Sequence, residues 1–191
     1  MKSTKSNVFF NRNLTLDGSL TIEGNLYVNG DCDLVKCDDP VEVFGDVIIE
    51  GNLSVGNIIV HGDLVCKNLE CDSAEVDENV YVDHISEADF VHSNYGSITI
   101  NDNACAETIV ASEGTITINN LFHDISTINC MKAFDEIHIN GDLVDVSILV
   151  AGSGIRVRGA IVFEATDFFV EETISLSTYS GGIRSENINI S

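Results

Sequence analysis

The stretch from Asn13 to Gly30 reads NLTLDG-SLTIEG-NLYVNG, which is three copies of one six-residue unit. Each unit has apolar residues at its second and fourth positions and ends in an acidic or amide residue followed by glycine. Alternation with a period of two predicts a short β-strand, and the terminal pair predicts a turn. Strands this short cannot bury one face alone, so the repeat predicts units that stack around a shared core.

The same alternation continues through most of the chain, and equivalent apolar pairs recur at a nearly constant interval. The pairs that begin at Val41, Ile58 and Ala74 are an example. Three short strands in each interval predict an all-β fold, a single-stranded parallel β-helix with a triangular cross-section. The predicted helix has about ten coils of about 16–19 residues each. No stretch from residue 13 onward shows the sustained periodicity of an α-helix.

The predicted winding of this β-helix is right-handed. Hexapeptide acyltransferases, which wind to the left, carry one large aliphatic residue per unit and keep a nearly constant coil length. Here most units direct two large aliphatic residues inward, and the coil length drifts along the chain. Both differences favour the right-handed form.

The chain divides into two parts. Residues 1–12 fall outside the repeat and are predicted to form a cap over the first coil or a short anchor, while residues 13–191 form the β-solenoid domain. The repeat loosens after Gly30 and is hardest to follow between residues 119 and 136, where an insertion or a distorted coil is predicted. One proline and no flexible linker predict a single folded domain.

The charge of the chain restricts its partners. The formal net charge is −22, and residues 17–150 carry three basic side chains against 26 acidic ones. Such a surface repels nucleic acid and anionic lipid, so we expect no nucleic-acid partner, whereas a basic protein is a suitable one. Membrane contact is expected at most through residues 1–12, where an apolar cluster lies between Lys5 and Arg12. Without a membrane-spanning apolar run or a secretory signal, the expected location is cytoplasmic.

The cysteines have a spacing of their own. The interval between Cys32 and Cys66 is the same as the interval that separates Cys37, Cys71 and Cys105. If this interval is two coils, the stacked Cα atoms lie ~10 Å apart, which is too far for a disulfide. We therefore expect six reduced thiols that face inward as small apolar groups, with no zinc site.

No set of residues predicts catalysis. None of the five histidines lies a whole coil from another, and the acidic shaft lacks the positive charge that an acyl-carrier cofactor would need. Acidic pairs such as Asp38-Asp39 would serve a glycosidase or lyase only with long loops to wall a cleft, and most turns here are short. We expect no catalytic, cofactor-binding or metal-binding residue, and no enzyme activity.

The runs at 13–30 and at 44–65, the second reading FGDVIIEGNLSVGNIIVHGDLV, resemble the bactofilins, which are bacterial cytoskeletal proteins that form polymers. The match lies in a glycine followed by Asp or Asn beside a short aliphatic strand, as at Gly45-Asp46, Gly51-Asn52, Gly62-Asp63 and Gly141-Asp142. The resemblance implies a right-handed triangular β-helix, no bound nucleotide and end-to-end assembly into filaments.

Two functions are predicted from different features. The first is a structural protein that associates with itself end to end, as a scaffold of filaments or oligomers. Its predicted assembly interface comprises Val8, Phe9, Phe10, Ile183, Ile188 and Ile190. The alternative is a non-enzymatic binding or spacer module, such as a fibre shaft or an acidic surface that docks a basic protein. Open strand edges at the rod ends favour the first, and an aromatic or charged cluster on a side face favours the second.

Overall fold

The computed structural model of the 191-residue chain describes residues 2–16, 18, 20–35, 39–120, 125–158, 161–170 and 174–176. Within these ranges the chain forms strands joined by short turns, with no helix, and the strands pair in parallel. The predicted all-β parallel β-solenoid is confirmed. The strands are β1 (Lys2–Thr4), β2 (Val8–Phe10), β3 (Leu14–Thr15), β4 (Leu20–Ile22), β5 (Leu26–Val28), β6 (Cys32–Leu34), β7 (Val41–Val43), β8 (Val47–Ile49), β9 (Asn52–Val60), β10 (Leu64–Val76), β11 (Val80–Ser93), β12 (Ile98–Ile100), β13 (Ala104–Ala111), β14 (Ile116–Ile118), β15 (Ile125–Ala133), β16 (Glu136–Asn140), β17 (Asp142–Ala151), β18 (Gly154–Arg158), β19 (Ile161–Val170) and β20 (Ile174–Leu176).

The strands stack in three columns, which form the three faces of the solenoid. The first face begins with β1, β4 and β7, the second with β2, β5 and β8, and the third with β3, β6 and the first part of β9. From β9 onward several strands are long enough to turn a corner, so one strand contributes to two or three successive faces. Each face therefore gains one parallel strand per turn, as the triangular coil requires.

Alternate apolar side chains fill the interior. In β5, for example, Leu26 and Val28 are buried on either side of the half-buried, outward-facing Tyr27. One cluster of buried side chains runs from Leu14 to Val157. The solenoid has about eight turns, and strand pairing continues beyond this cluster at both ends. The sequence predicted about ten coils from the whole chain, part of which lies outside the described residues.

The predicted register is confirmed along much of the chain. Val41 pairs with Ile58, and Ile58 pairs with Ala74. Further on, Ile137 pairs with Ile155, as their spacing in the sequence predicted. The apolar pairs that repeat in the sequence are therefore the residues that stack in the core.

Two turns are longer than the predicted range of coil lengths. Thr21 pairs with Glu42, and Ile109 pairs with Met131, and both pairs lie further apart in the sequence than that range allows. The predicted range of coil lengths fails for these two turns because each contains extra residues in a connection between strands. The strands on either side keep their alternation of inward and outward residues. Both occur where the repeat loosens in the sequence, and both include residues outside the described ranges.

Residues 2–10 adopt the conformation of the repeat. β1 pairs with β4, and β2 pairs with β5, and each partner lies one turn further along the chain. Val8 and Phe10 pack against the core, while Phe9 points outward. This part of the segment that the sequence placed outside the repeat is therefore the first turn, and it covers the strands of the second turn as a cap would.

The corner between the first and second faces is held by a ladder of hydrogen bonds from side chain to backbone. Asn25 Oδ1 accepts the Asp46 N–H at 3.1 Å, and Asp46 Oδ1 accepts the Asp63 N–H at 3.1 Å. Each side chain thus supplies an acceptor to a backbone amide of the next turn, which a tight turn would otherwise leave unpaired. The members of this corner ladder are, in order, Asn7, Asn25, Asp46, Asp63, Asn79, Ser97 and Thr115.

The corner ladder explains why glycine precedes several of its members. A Cβ atom on Gly45 would overlap with Asn25 Oδ1 of the turn below, and a Cβ atom on Gly62 would overlap with Asp46 Oδ1. Only glycine leaves room for the ladder oxygen at these positions. Each Gly-Asp or Gly-Asn pair of the ladder therefore acts as one unit. Its glycine leaves room for the ladder oxygen of the turn below, and its Asp or Asn supplies the ladder oxygen to the turn above.

A second ladder links the early turns at the corner between the second and third faces. Asn13 Oδ1 accepts the Asp31 N–H at 3.0 Å, and Asp31 Oδ1 accepts the Asn52 N–H at 2.9 Å. Here too a Cβ atom on Gly30 or Gly51 would overlap with the ladder oxygen below it. The repeat of the sequence therefore reflects two stacked corners per turn.

The cysteine spacing does not represent stacking. Cys32 lies on the third face, where it pairs with Leu53, whereas Cys66 lies on the second face, where it pairs with Val82. The prediction that these two cysteines stack in one column is wrong. A long turn lies between them, so stacked positions are separated here by several residues more than the interval between the two cysteines. Cys37 lies outside the described residues.

Cys105 does not face inward. Ala104 and Ala106 take the inward positions of β13, so the side chain of Cys105 between them is exposed to solvent. The other described cysteines are buried. The expectation of six inward thiols is therefore wrong for Cys105.

Cys105 is expected to react with N-ethylmaleimide faster than Cys66 or Cys71 in the folded protein. Burial raises the pKa of the Cys66 thiol, and it raises the pKa of Cys71 to about 12, so both lack thiolate as well as access. Brief labelling followed by peptide mass spectrometry measures the three rates. In protein unfolded by guanidinium the difference should disappear, and equal rates in the folded protein would contradict the burial described above.

Asp63→Ala is expected to lower the free energy of unfolding by about 1–3 kcal/mol, because the N–H of Asn79 loses its acceptor. Asp63→Asn keeps a side-chain oxygen and should lose less. Chemical denaturation of the two variants measures the difference. Equal losses would show that the charge of Asp63 matters rather than its place in the ladder.

Candidate functional site

The first turn presents an open strand edge. Among the described residues, β1, β2 and β3 each pair with a single strand, which belongs to the second turn. The N–H groups of Leu14 and Leu16 donate to carbonyl oxygens of that turn, at 2.8 and 3.2 Å. Because successive backbone groups of a strand point to opposite sides, the N–H and C=O of Thr15 point away from the second turn. The same alternation directs the backbone groups of Phe9 away, since Val8 N–H donates to Asn25 O.

The structure separates the apolar residues that the sequence grouped at this end. Val8 and Phe10 are half-buried and packed against the core, so they stabilise the first turn. Phe9 is 68% exposed and stacks on Tyr27, with ring centroids 4.7 Å apart and planes 5° from parallel. The other half of the predicted assembly interface, Ile183, Ile188 and Ile190, lies outside the described residues.

Phe9 is the first member of an apolar row on the second face. Phe9 pairs with Tyr27, Tyr27 with Ile48, Ile48 with Val65, and Val65 with Tyr81. Each occupies the outward position of its strand, so the five side chains lie side by side along the axis of the solenoid. We call this row the apolar stripe. Four steps of ~4.8 Å make it about 19 Å long.

The apolar stripe ends where the same column becomes polar. Tyr81 is followed by Thr99, then by Thr117, His138 and Arg156. Within the stripe, Phe9 and Tyr81 are the most exposed members, at 68% and 43%, while the three between them are half-buried by their neighbours. The outer surface of the second face is therefore apolar over its first five turns and polar beyond them.

Acidic residues border the apolar stripe on both sides. On one side lies the corner ladder, with Asp46 and Asp63. On the other side lie Glu50 and Asp83, which are exposed, with the exposed Lys67 between them along the column. The middle of the stripe is thus bordered by four carboxylates and one cation.

Two shallow depressions follow the edge of the stripe. One, of about 250 Å³, is lined by Phe9, Tyr27, Ile48 and Glu50 among others. The next, of about 200 Å³, is lined by residues that include Ile48, Glu50 and Tyr81. Both depressions are open to solvent, and both combine apolar and acidic walls.

The apolar stripe is not among the sites predicted from the sequence. The predicted strands rest on the inward pairs of each unit, whereas the stripe consists of the residues between those pairs. The signal was present, because Tyr27, Ile48 and Val65 are apolar residues at places where a half-buried strand usually carries polar ones. Their alignment into one row became visible only with the register, since each lies a whole turn from the next and the turns differ in length.

A charged cluster lies at the corner after the first face. His61 contacts Asp77 through Nδ1 at 2.8 Å and Glu42 through Nε2 at 3.2 Å, and its ring stacks on Phe44. The hydrogen bonds to Asp77 and then to Glu42 raise the pKa of His61. Hydrogen bonds from Asn94 and His61 lower the pKa of Asp77. The cluster joins successive turns of the solenoid and so has a structural role.

Other kinds of site are not evident in the described part of the chain. Its histidine, cysteine and acidic side chains do not converge in any group of three or more that could hold a metal ion. A depression of about 390 Å³ on the third face is lined by Glu87, Asp89, Cys105 and Glu107 among others, and its lining contains no histidine or cation. None of the described residues forms a helix that could cross a membrane.

Comparisons with known proteins do not place the chain in a family. No family model, no curated protein and no solved structure matches it. The fold is a β-solenoid of about eight turns, without a family assignment.

Protonated His61 is expected to stabilise the fold. Its pKa is raised above the ordinary value of 6.5, so this stabilisation is fully present below that value and is lost as the pH rises through the raised pKa. The stability of the parent relative to His61→Gln should therefore fall by up to about 1 kcal/mol from acid to alkaline pH, because the cluster is partly screened by solvent.

Denaturation of the parent and of His61→Gln across this pH range measures the effect. A parallel pair with Glu42→Gln in the background provides the control, because loss of one carboxylate should reduce the difference. A difference that is constant with pH would contradict a role for the proton on His61.

Proposed function

We propose that this protein is a structural, non-enzymatic β-solenoid that associates with itself end to end and serves as a scaffold, in the manner that its resemblance to bactofilins implies. The observation that carries this proposal is the open edge of the first turn. There, backbone N–H and C=O groups at Phe9 and Thr15 point away from the second turn. Edges of this kind are templates for further strands.

Addition of another turn to this edge would continue the backbone hydrogen bonds between stacked strands, without any new type of contact. A strand that docks there meets donors and acceptors at the spacing that already joins β2 to β5 and β3 to β6. The burial of Val8 and Phe10 would also increase, since both are only half-buried at present. End-to-end contact therefore uses the same hydrogen bonds and apolar packing that build the solenoid.

The distribution of charge supports association at the ends over association at the sides. Residues 1–16 contain Lys2, Lys5 and Arg12 and no acidic residue, while residues 17–150 carry 26 acids against three bases. Two acidic shafts side by side repel each other. The basic first turn lowers that repulsion at the end of the rod, so the end is the favourable place for contact.

Ile183, Ile188 and Ile190 remain the predicted second half of this assembly interface. Their strand-like alternation in the sequence is the basis of that prediction.

The free thiols of Cys66, Cys71, Cys105 and Cys130 agree with a reducing location such as the cytoplasm, which is part of the proposal.

Thr15→Pro tests the edge. The substitution removes an N–H that points away from the second turn, and proline is tolerated on a strand edge of this kind, so the fold should be kept while assembly is lost. Thr15→Ala keeps the N–H and is the matched control. Sedimentation velocity over a range of concentrations, with electron microscopy, should show oligomers or filaments for the parent and for Thr15→Ala but monomers for Thr15→Pro.

Two results would contradict the proposal. One is a parent protein that stays monomeric at every concentration. The other is a Thr15→Pro variant that assembles as well as Thr15→Ala while circular dichroism shows the same fold for both. Ile188→Lys with Ile190→Lys then reports on the predicted second half of the interface, which the proposal expects to be needed as well.

The apolar stripe favours a second function, that of a docking module. It lies on the side of the rod rather than at its end, so the two functions do not exclude each other. A side-face aromatic cluster is the feature that distinguishes a binding module from a simple spacer, because a spacer needs only a polar outer surface.

A further inference from the structure

We propose that the apolar stripe, formed by Phe9, Tyr27, Ile48, Val65 and Tyr81, is a docking site for a basic amphipathic helix of another protein. The apolar side of the helix lies on the stripe, and its lysine or arginine side chains reach the acidic residues on either side. This site does not rest on end-to-end assembly.

The backbone of the stripe cannot accept another strand over most of its length. The strands β5 and β8, and the second-face parts of β10 and β11, are each paired on both sides. A partner on this face must therefore be held by side chains. Tyr27, Ile48 and Val65 supply a continuous apolar surface for that purpose.

The spacing of the stripe suits a helix better than an extended segment. Its side chains repeat every ~4.8 Å along the axis. A helix rises ~5.4 Å per turn, whereas side chains on one side of an extended strand repeat every ~6.8 Å. Apolar residues at positions i, i+4, i+7, i+11 and i+14 of a helix span about 21 Å, which is close to the length of the stripe.

Charge selects a basic helix as the occupant. Asp46 and Asp63 border the stripe on one side, and Glu50 and Asp83 border it on the other, with Lys67 as the single cation between the last two. Basic side chains on the flanks of a docked helix would meet carboxylates on both sides. The formal net charge of −22 acts against a second copy of the chain on this face, because its own acidic borders would be brought together with these.

The probe for this site is a fluorescein-labelled peptide of leucine and lysine, about 18 residues long, with all leucines on one helical face. Two further peptides serve as controls, one with the same composition in scrambled order and one with glutamate in place of lysine. Fluorescence anisotropy with the full chain, at physiological salt, measures the dissociation constants. The ordered basic peptide is expected to bind at least about tenfold more tightly than either control peptide.

Ile48→Ser with Val65→Ser tests the location. Both residues are half-buried outward members of the stripe, and the double variant should weaken binding by about tenfold or more. Ile59→Ser with Val110→Ser is the matched control, because it removes one half-buried isoleucine and one half-buried valine from the outward positions of the first face. That variant should change binding by less than about twofold.

Glu50→Gln with Asp83→Asn leaves every apolar residue in place and tests the charge. It should weaken binding and make it less dependent on salt. This variant also keeps the proposal testable if the serine variant loses its fold, which circular dichroism and denaturation would show.

Three outcomes would overturn the proposal. The scrambled or acidic peptide binds as tightly as the ordered basic one, or the stripe and first-face variants weaken binding equally, or the charge variant binds with unchanged affinity and salt dependence. Self-association of the parent that Ile48→Ser with Val65→Ser abolishes, and that Thr15→Pro leaves intact, would instead identify a second copy as the occupant.

Discussion

The hydrogen bond from a corner side-chain oxygen to a backbone amide of the next turn is the contact on which the rest of the solenoid depends. A strand of three residues makes too few ladder bonds to hold its register by itself. At the corner, Asn25 and Asp46 each bind the amide one turn further on, and so they fix both the rise and the phase of the coil. Gly45 is required where the oxygen approaches the backbone. The alignment of inward residues into a core, and of outward residues into rows, follows from this contact.

The parts of the fold that the sequence predicts are those encoded by local chemistry. Period-two apolar pairs and Gly-Asp turns identify the strands and, through their spacing, the pairing of Val41 with Ile58. The prediction fails where spacing alone was used to infer contact. Cys32 and Cys66 are two regular intervals apart in number yet lie on different faces, because a longer turn intervenes. Extra residues at a corner leave no mark on the alternation of the strands, so counting cannot detect them.

The candidate site was less predictable than the fold for a related reason. The rings of Phe9 and Tyr27 stack, although a whole turn of the chain separates the two residues, and each later step of the apolar stripe also joins residues one turn apart. An outward apolar residue is ordinary when it is met singly in a strand. It becomes a surface only when several turns place such residues in one column. The end of the rod was easier to foresee, because every solenoid has strand edges where its stacking stops.

The corner ladders also determine how the rod responds to force. Among the described residues the strands of each turn pair with strands of the neighbouring turns, so the turns are arranged in series along the axis. Tension applied along the axis acts on every interface at once, so the weakest interface yields first and the solenoid should open turn by turn at low force. Tension applied across the axis, in the direction of the strands, loads all bonds of a column in shear together. The rod is therefore mechanically anisotropic, weak along its length and strong across it.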